Sequence, residues 1–252
     1  MTTIDLNCDL GESFGSYRIG NDEAMLDLVS SANIACGFHA GDALVMDRTV
    51  AAAAQRGVRI GAHVGYRDLA GFGRRAMAYD APALQAETAY QIGALQAFAR
   101  KHGTTVAYVK PHGALYNTIA HDEVQARAVI AGIKDADPSL ALMGLAGAPV
   151  LDWAQEAGLA TLSETFADRA YTASGALVPR SQDGAVHHDP DVAAAQAVAF
   201  ATGAAIQAVS GESVSVHADS ICVHGDNPAA LALVKRIIAD LHDHGIEVNH
   251  AH

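Results

Sequence analysis

Short apolar runs, many of them β-branched, recur along the chain and are separated by longer stretches in which apolar positions return every three or four residues. Runs of the first kind predict strands buried on both faces. They are Thr3–Cys8, Ala32–Cys36, Val58–Ala62, Thr105–Val109, Leu140–Leu145, Ala160–Glu164 and Ser215–Val223. Stretches of the second kind predict helices over Asp22–Ser30, Ala43–Gln55, Ala83–His102, Val124–Ala136, Pro149–Gly158, Val192–Ser210 and Asn227–His244. Asp80 with Pro82 opens one of them, and Gly57, Gly103 and Gly158 close others. Regular alternation predicts a parallel sheet with right-handed crossovers. Seven or eight such units suit an α/β fold, a (β/α) barrel with about seven parallel strands, better than an open sheet. No linker, low-complexity tract or repeat divides the chain, so the expectation is a single α/β-barrel domain over residues 1–252.

Polar residues gather where the predicted strands end. The first runs into Asn7, Asp9 and Glu12, the second into His39 and Asp42, and the third into His63 and Asp68. The fourth runs into Lys110, His112 and Asn117, the sixth into Glu164, Asp168 and Arg169, and the last into His224, Asp226 and Asn227. In a barrel these ends open on one face, where such folds build their sites. Each residue also has a structural reading. A lone histidine after a strand is often a satisfied core residue; Asp42, Asp226 and Asn227 each stand where a helix cap is needed; Asp168 and Arg169 are placed to pair. The same residue types follow strand after strand, and that recurrence favours a polar site at the mouth.

Composition narrows the field. The formal charge of −12 and the lack of a basic run exclude nucleic acid as a partner. Cys8, Cys36 and Cys222 each lie in an apolar stretch and read as buried free thiols rather than a disulfide framework. No signal-peptide pattern and no apolar stretch of ~18 residues is present, so no membrane span is expected and the cytoplasm is the default location. The sequence has no GxxxxGK[ST] loop, HExxH or CxxC motif.

The same segments carry a resemblance. The stretches DLNCDLGESFG (Asp5–Gly15), ANIACGFHAGD (Ala32–Asp42), GAHVGYRD (Gly61–Asp68), GFGRR (Gly71–Arg75), YVKPHGALYN (Tyr108–Asn117), ETFADRAY (Glu164–Tyr171), LVPRS (Leu177–Ser181) and CVHGDNP (Cys222–Pro228) resemble the LamB/YcsF family, in family order over nearly the whole chain. One departure is Val64, where the family usually has proline. The resemblance implies a glycoside hydrolase/deacetylase-like barrel of seven strands. It also implies the role of the A subunit of an ATP-dependent 5-oxoprolinase, which hydrolyses 5-oxo-L-proline to L-glutamate, with partner subunits B and C and ATP as co-substrate. For that chemistry Asp9 or His63 is a candidate base, and Lys110 and Arg169 are candidates to stabilise anionic groups. His39, His112 and His224 are placed to position water or shuttle protons. Asn7 and Asn117, with Glu12, Glu164, Asp168, Arg180 and Asp226, are candidate substrate contacts. Two alternatives stay open: a stand-alone metal-dependent deacetylase or amidohydrolase with a divalent ion on Asp9, His39 and His63, and a non-catalytic substrate-binding subunit.

Overall fold

The computed structural model describes residues 2–179, 182–224 and 228–250. In chain order its elements are β1 (Thr2–Leu10), α1 (Asp22–Leu26), β2 (Ser31–Ala35), α2 (Ala43–Arg56), β3 (Arg59–His63), α3 (Ala81–Lys101), β4 (Val106–Val109), α4 (Gly113–Ile119), α5 (Glu123–Ala136), β5 (Ala141–Leu145), α6 (Pro149–Glu156), β6 (Thr161–Phe166), α7 (Pro190–Thr202), β7 (Ile206–Gln207), β8 (Ser213–Val214), β9 (Ser220–Cys222), α8 (Pro228–Asp243) and β10 (Ile246–Val248). Strands β1 to β6 and β9 pair in parallel, and β9 returns to β1, so seven strands close a barrel. β10 adds a parallel strand against Thr2–Ile4, before β1 meets β2 at Asn7. Among the described residues no helix is long and apolar enough to cross a membrane.

Helix ends follow the sequence. Asp42 caps α2, accepting from the Leu44 and Val45 amides at 2.9 Å, and Gly57 ends that helix at φ 68°. The sequence reading differs most clearly in four places. It has no helix at Gly113–Ile119, where α4 starts directly from the polar run after β4. It carries a helix to Ser210, but Gly203 ends α7 at φ 70° and the β7–β8 hairpin follows. It starts the last barrel strand at Ser215, yet Asp219 first accepts from the Ser163 amide and pairing begins at Ser220. It misses the short β10 altogether.

The two faces of the barrel wall differ in chemistry. On β1, Ile4, Leu6, Cys8 and Leu10 join the apolar core, with Val50 of α2, Ile92 and Leu95 of α3, and Val129 and Ile133 of α5 in the same cluster. The alternate residues Asp5, Asn7 and Asp9 bond to polar groups of the other strands. Asp5 accepts from Ser30, Ser31 and Ser220. Asn7 donates to Ser220 Oγ at 2.8 Å, and its Oδ1 accepts from Asn33 at 2.7 Å and Lys110 at 3.0 Å. Asn33 also donates to Asp9 at 2.8 Å and accepts from the Tyr108 hydroxyl at 2.6 Å. A chain of polar contacts thus climbs from Asp5 to Asp9, and its members satisfy one another. Tyr108 finds room because its neighbour in register is Gly61, where a Cβ would overlap the phenol ring.

Candidate active site

Four strand ends build the floor of the mouth. β1 supplies Asp9, and the turn at Gly11, which needs φ +70°, brings in Glu12. β3 ends on His63. β4 runs into Lys110 and His112, and the loop after β2 carries His39. The cavity above them has a volume of about 530 Å³ and touches Cys8, Asp9, Glu12, His63, Lys110 and His112, with Arg74, Asn117, Arg169 and His224 around it. This size suits a small-molecule site.

Lys110 is the centre of the charge balance. Its ammonium lies 2.6 Å from Glu164 Oε1, 3.0 Å from Asp9 Oδ1 and 3.3 Å from Cys222 Sγ. Burial works against its charge, but Asp9, Cys222 and Glu164 outweigh that and hold its pKa well above the usual lysine range. Asp9 is the reverse case. Burial disfavours its carboxylate, yet His63 and Lys110 hold the carboxyl well below the usual range.

The histidines form a connected set. His63 Nδ1 donates to the Lys110 carbonyl at 2.8 Å, and His112 Nε2 donates to the Phe72 carbonyl at 2.8 Å. Carbonyls only accept, so these contacts fix which ring nitrogens carry hydrogen. The remaining nitrogens, His63 Nε2 and His112 Nδ1, face each other at 2.9 Å, and a hydrogen bond between them needs one further proton. Asp9 Oδ2, 3.3 Å from His63 Nε2, is its counter-charge. Burial opposes a charged His63, but Asp9 raises its pKa above the usual histidine value. His112 is pushed down to about 3 by burial and by the charge of His63. The shared proton therefore belongs to His63. His39 stacks on His112 with ring centroids 3.7 Å apart and planes within 4°, and its Nε2 lies 3.1 Å from Glu12 Oε1. Burial, then the neighbouring His112 and His63, holds its pKa well below the usual value.

Glu12, His39, His63 and His112 each offer a ligand atom, all within 4.8 Å of one another, so the cluster could hold a metal ion. The carbonyl anchors on His63 and His112 are the kind that aim metal ligands. The parallel stacking of His39 on His112 makes their in-plane lone pairs run side by side rather than converge. The set that fits one ion is therefore Glu12, His63 and His112.

Of the residues expected at the site, Asp9, Glu12, His63, Lys110, His112, Asn117, Arg169 and His224 do line one cavity. Asn7 and Glu164, expected at the substrate, are instead fully buried and are bonded to Lys110. His39 is also fully buried, behind His112. Asp168 lies 2.9 Å from His224 Nδ1. Arg169 donates to the carbonyls of Val178 at 2.5 Å and Ala185 at 3.1 Å. Arg180 and Asp226 lie outside the described residues. Val64 is fully buried, and its carbonyl accepts from the His112 amide at 2.7 Å. The sequence reading missed Asn33 and Tyr108, although a polar residue inside an otherwise apolar strand run is a readable signal. It also passed over Arg74, visible only within the GFGRR stretch.

The LamB/YcsF family model matches residues 4–252. A protein of Corynebacterium efficiens, named as the A subunit of 5-oxoprolinase, is 66% identical over 249 residues, which cover 99% of this chain and 98% of the relative. One of the same name from Streptomyces avermitilis is 55% identical, over 97% of this chain and 98% of the relative. The crystal structure of a lactam utilization protein from Thermus thermophilus superposes with a TM-score of 0.94 at 42% identity, covering 98% of this chain and 99% of that one.

Proposed function

The chain belongs to the LamB/YcsF family, and from that premise we propose that it is the A subunit of an ATP-dependent 5-oxoprolinase whose lactam is opened in the cavity above Lys110. The observation that carries this reading is the 66% identity, over 99% of the chain, to a relative named as the A subunit of 5-oxoprolinase. That name implies an assembly. The partners proposed here are subunits B and C, with ATP as a co-substrate of the whole.

A five-membered lactam resists hydrolysis because its amide is resonance-stabilised and the open product recloses. Transfer of a phosphoryl group from ATP to the amide oxygen makes the carbonyl carbon more electrophilic. Water then adds to that carbon, the C–N bond breaks and the ring nitrogen takes a proton, which leaves ADP and the open chain as an acyl phosphate; a second water cleaves that acyl phosphate to glutamate and phosphate. The chain's residues divide the work. His63 acts as the base once the shared proton has left Nε2, and it then takes the proton of the attacking water there, because Nδ1 is committed to the Lys110 carbonyl. Asp9 stabilises the imidazolium that forms, and His112 Nδ1 receives its hydrogen bond. Lys110 helps keep Asp9 ionised and places a positive charge where oxyanion character develops. Asn7, Glu164 and His39 act through these residues rather than on the substrate. A divalent cation, when bound, would sit on Glu12, His63 and His112 and supply Lewis acidity; His63 Nε2 would then be a ligand, and Asp9 would be the base in its place.

The test is reconstitution with the partner subunits and measurement of glutamate release from 5-oxoproline. Release that needs ATP and all three subunits, and that is lost in His63→Ala, is the expected result. A complex that assembles but leaves 5-oxoproline intact overturns the reading. The metal-dependent deacetylase alternative predicts instead that the chain alone releases acetate from acetylated sugars.

A further inference from the structure

We infer that Arg74 is the residue by which the cavity recognises the carboxylate of its lactam substrate; this rests on the lactam being the substrate of that cavity. The inference comes from the balance of charge. Asp9 and Glu12 line the cavity and Glu164 lies beneath it, so an anionic substrate meets three acidic groups. Among the described residues, the other cations that could offset them are already engaged. Lys110 is held by Glu164 at 2.6 Å and Asp9 at 3.0 Å. Arg169 spends Nε and Nη2 on two main-chain carbonyls, and Arg75 is paired with Asp68. Arg74 lines the same cavity, is exposed to solvent, and forms no ion pair with a carboxylate among the described residues. Its guanidinium carbon lies 5.2 Å from the centroid of the Phe72 ring.

The loop that carries Arg74 is built to hold it there. Phe72 has φ 53°, a left-handed conformation that costs a non-glycine residue energy unless its surroundings enforce it. Here the surroundings do: the Phe72 carbonyl accepts from His112 Nε2 at 2.8 Å, and the Gly73 carbonyl accepts from the Ala114 amide at 2.9 Å. In 5-oxoproline the carboxylate and the lactam carbonyl flank the ring nitrogen. With the carbonyl turned to Lys110 and His63 on the floor, the carboxylate must point away from Asp9 and Glu12. Among the described residues Arg74 is then the charged partner available at the open side, with a planar fork that matches a carboxylate.

The test is calorimetric titration of the full chain with 5-oxo-L-proline and with its neutral amide, for wild type, Arg74→Gln and Arg74→Lys, with turnover measured in the reconstituted enzyme. Wild type is expected to prefer the acid by roughly 10–100-fold, the worth of charge-assisted hydrogen bonds. R74Q should bind acid and amide alike at the level of the amide, and R74K should regain part of the preference. In turnover, R74Q should raise KM by the same factor and leave kcat nearly unchanged. A wild type that does not distinguish acid from amide, or an R74Q that keeps the preference, overturns the inference. So does an R74Q that loses both ligands equally, or phosphate competition lost in R74Q without any preference for the acid. An Arg74-dependent preference in a complex that opens no lactam would sink the functional reading and leave Arg74 as a carboxylate-binding residue only.

Discussion

Replacing Lys110 by methionine keeps most of the side-chain volume and removes the charge from the centre of the cluster. In the native protein that ammonium is 4% exposed and Glu164 is 0% exposed, with 2.6 Å between them, so the pair is dry on both sides. Asp9 is better placed to survive the loss, because its side chain is 22% exposed and His63 remains beside it. The cost therefore falls mainly on Glu164. Breaking a buried pair by removing one partner costs about 3–5 kcal/mol, since the other charge stays uncompensated. For a chain of this size that lowers Tm by roughly 6–20 °C. Urea unfolding followed by the fluorescence of Trp153 measures the difference at pH 7. The pH gives an internal control. A stranded carboxylate is relieved by protonation, so the gap between wild type and K110M should narrow as pH falls from 7 to 5. Glu164→Gln in the K110M background should recover most of the loss at pH 7. A K110M protein within about 1 kcal/mol of wild type at pH 7, below even the low end of that range, would refute the reasoning. So would a gap that widens on acidification.

Gly61→Ala is expected to destabilise by about 1–3 kcal/mol or more, because the new methyl overlaps the Tyr108 ring, and a thermal melt checks it; an unchanged Tm would mean that Tyr108 does not cross the barrel there. His63→Ala should lower kcat of the reconstituted enzyme by about 10²–10⁴-fold, the range for loss of a general base. Equal kcat would remove His63 from that role. The pKa of His112 lies at about 3 and that of His39 is also depressed, so both are neutral when folded and take up protons when the chain unfolds below about pH 6.5. Each therefore withdraws up to about 1.4 kcal/mol of stability per pH unit as pH falls from about 6.5 towards the folded pKa, and His39→Gln should flatten the slope of urea midpoints against pH. Protein dialysed against zinc should retain about one ion per chain in wild type and His39→Ala but none in His63→Ala, by elemental analysis; retention by His63→Ala would exclude the Glu12, His63 and His112 set.

How far the site can be read from the chain depends on two periodicities that carry different information. Position at the end of a strand gives height along the barrel, and this is why Asp9, His63, Lys110 and His112 could be assigned to one mouth from their spacing alone. Height does not say what lies between a side chain and the cavity. Asn7 precedes Asp9 by two residues, so it shares its side of β1 but sits one layer lower, where Asn33 and Lys110 close over it. Glu164 is hidden in the same way beneath Lys110, and His39 is hidden sideways by the ring of His112. The period-two signal, Asp5–Asn7–Asp9 set against Ile4–Leu6–Cys8–Leu10, already implies a polar interior, and Asn33 and Tyr108 fall on it. What the pattern could not supply was the chain's local endings. α4, the β7–β8 hairpin and β10 are all short, and a run of two to seven residues carries too little periodicity to separate it from a loop.

The polar interior also changes what counts as part of the site. Asp5 lies two layers below the cavity, and burial raises its carboxyl above the usual range despite the hydrogen bonds from Ser220, Ser31 and Ser30. Ser220 links it to Asn7, and Asn7 in turn accepts from the ammonium of Lys110. An apolar column in their place would leave Lys110 with Asp9, Glu164 and Cys222 but without the amide oxygen of Asn7. Ser220→Ala tests the link, because it breaks the column while leaving every cavity-lining side chain in place. If Lys110 is positioned through the column, its effect should appear in kcat more than in KM, whereas a merely structural role for Ser220 would lower Tm and leave the kinetics alone.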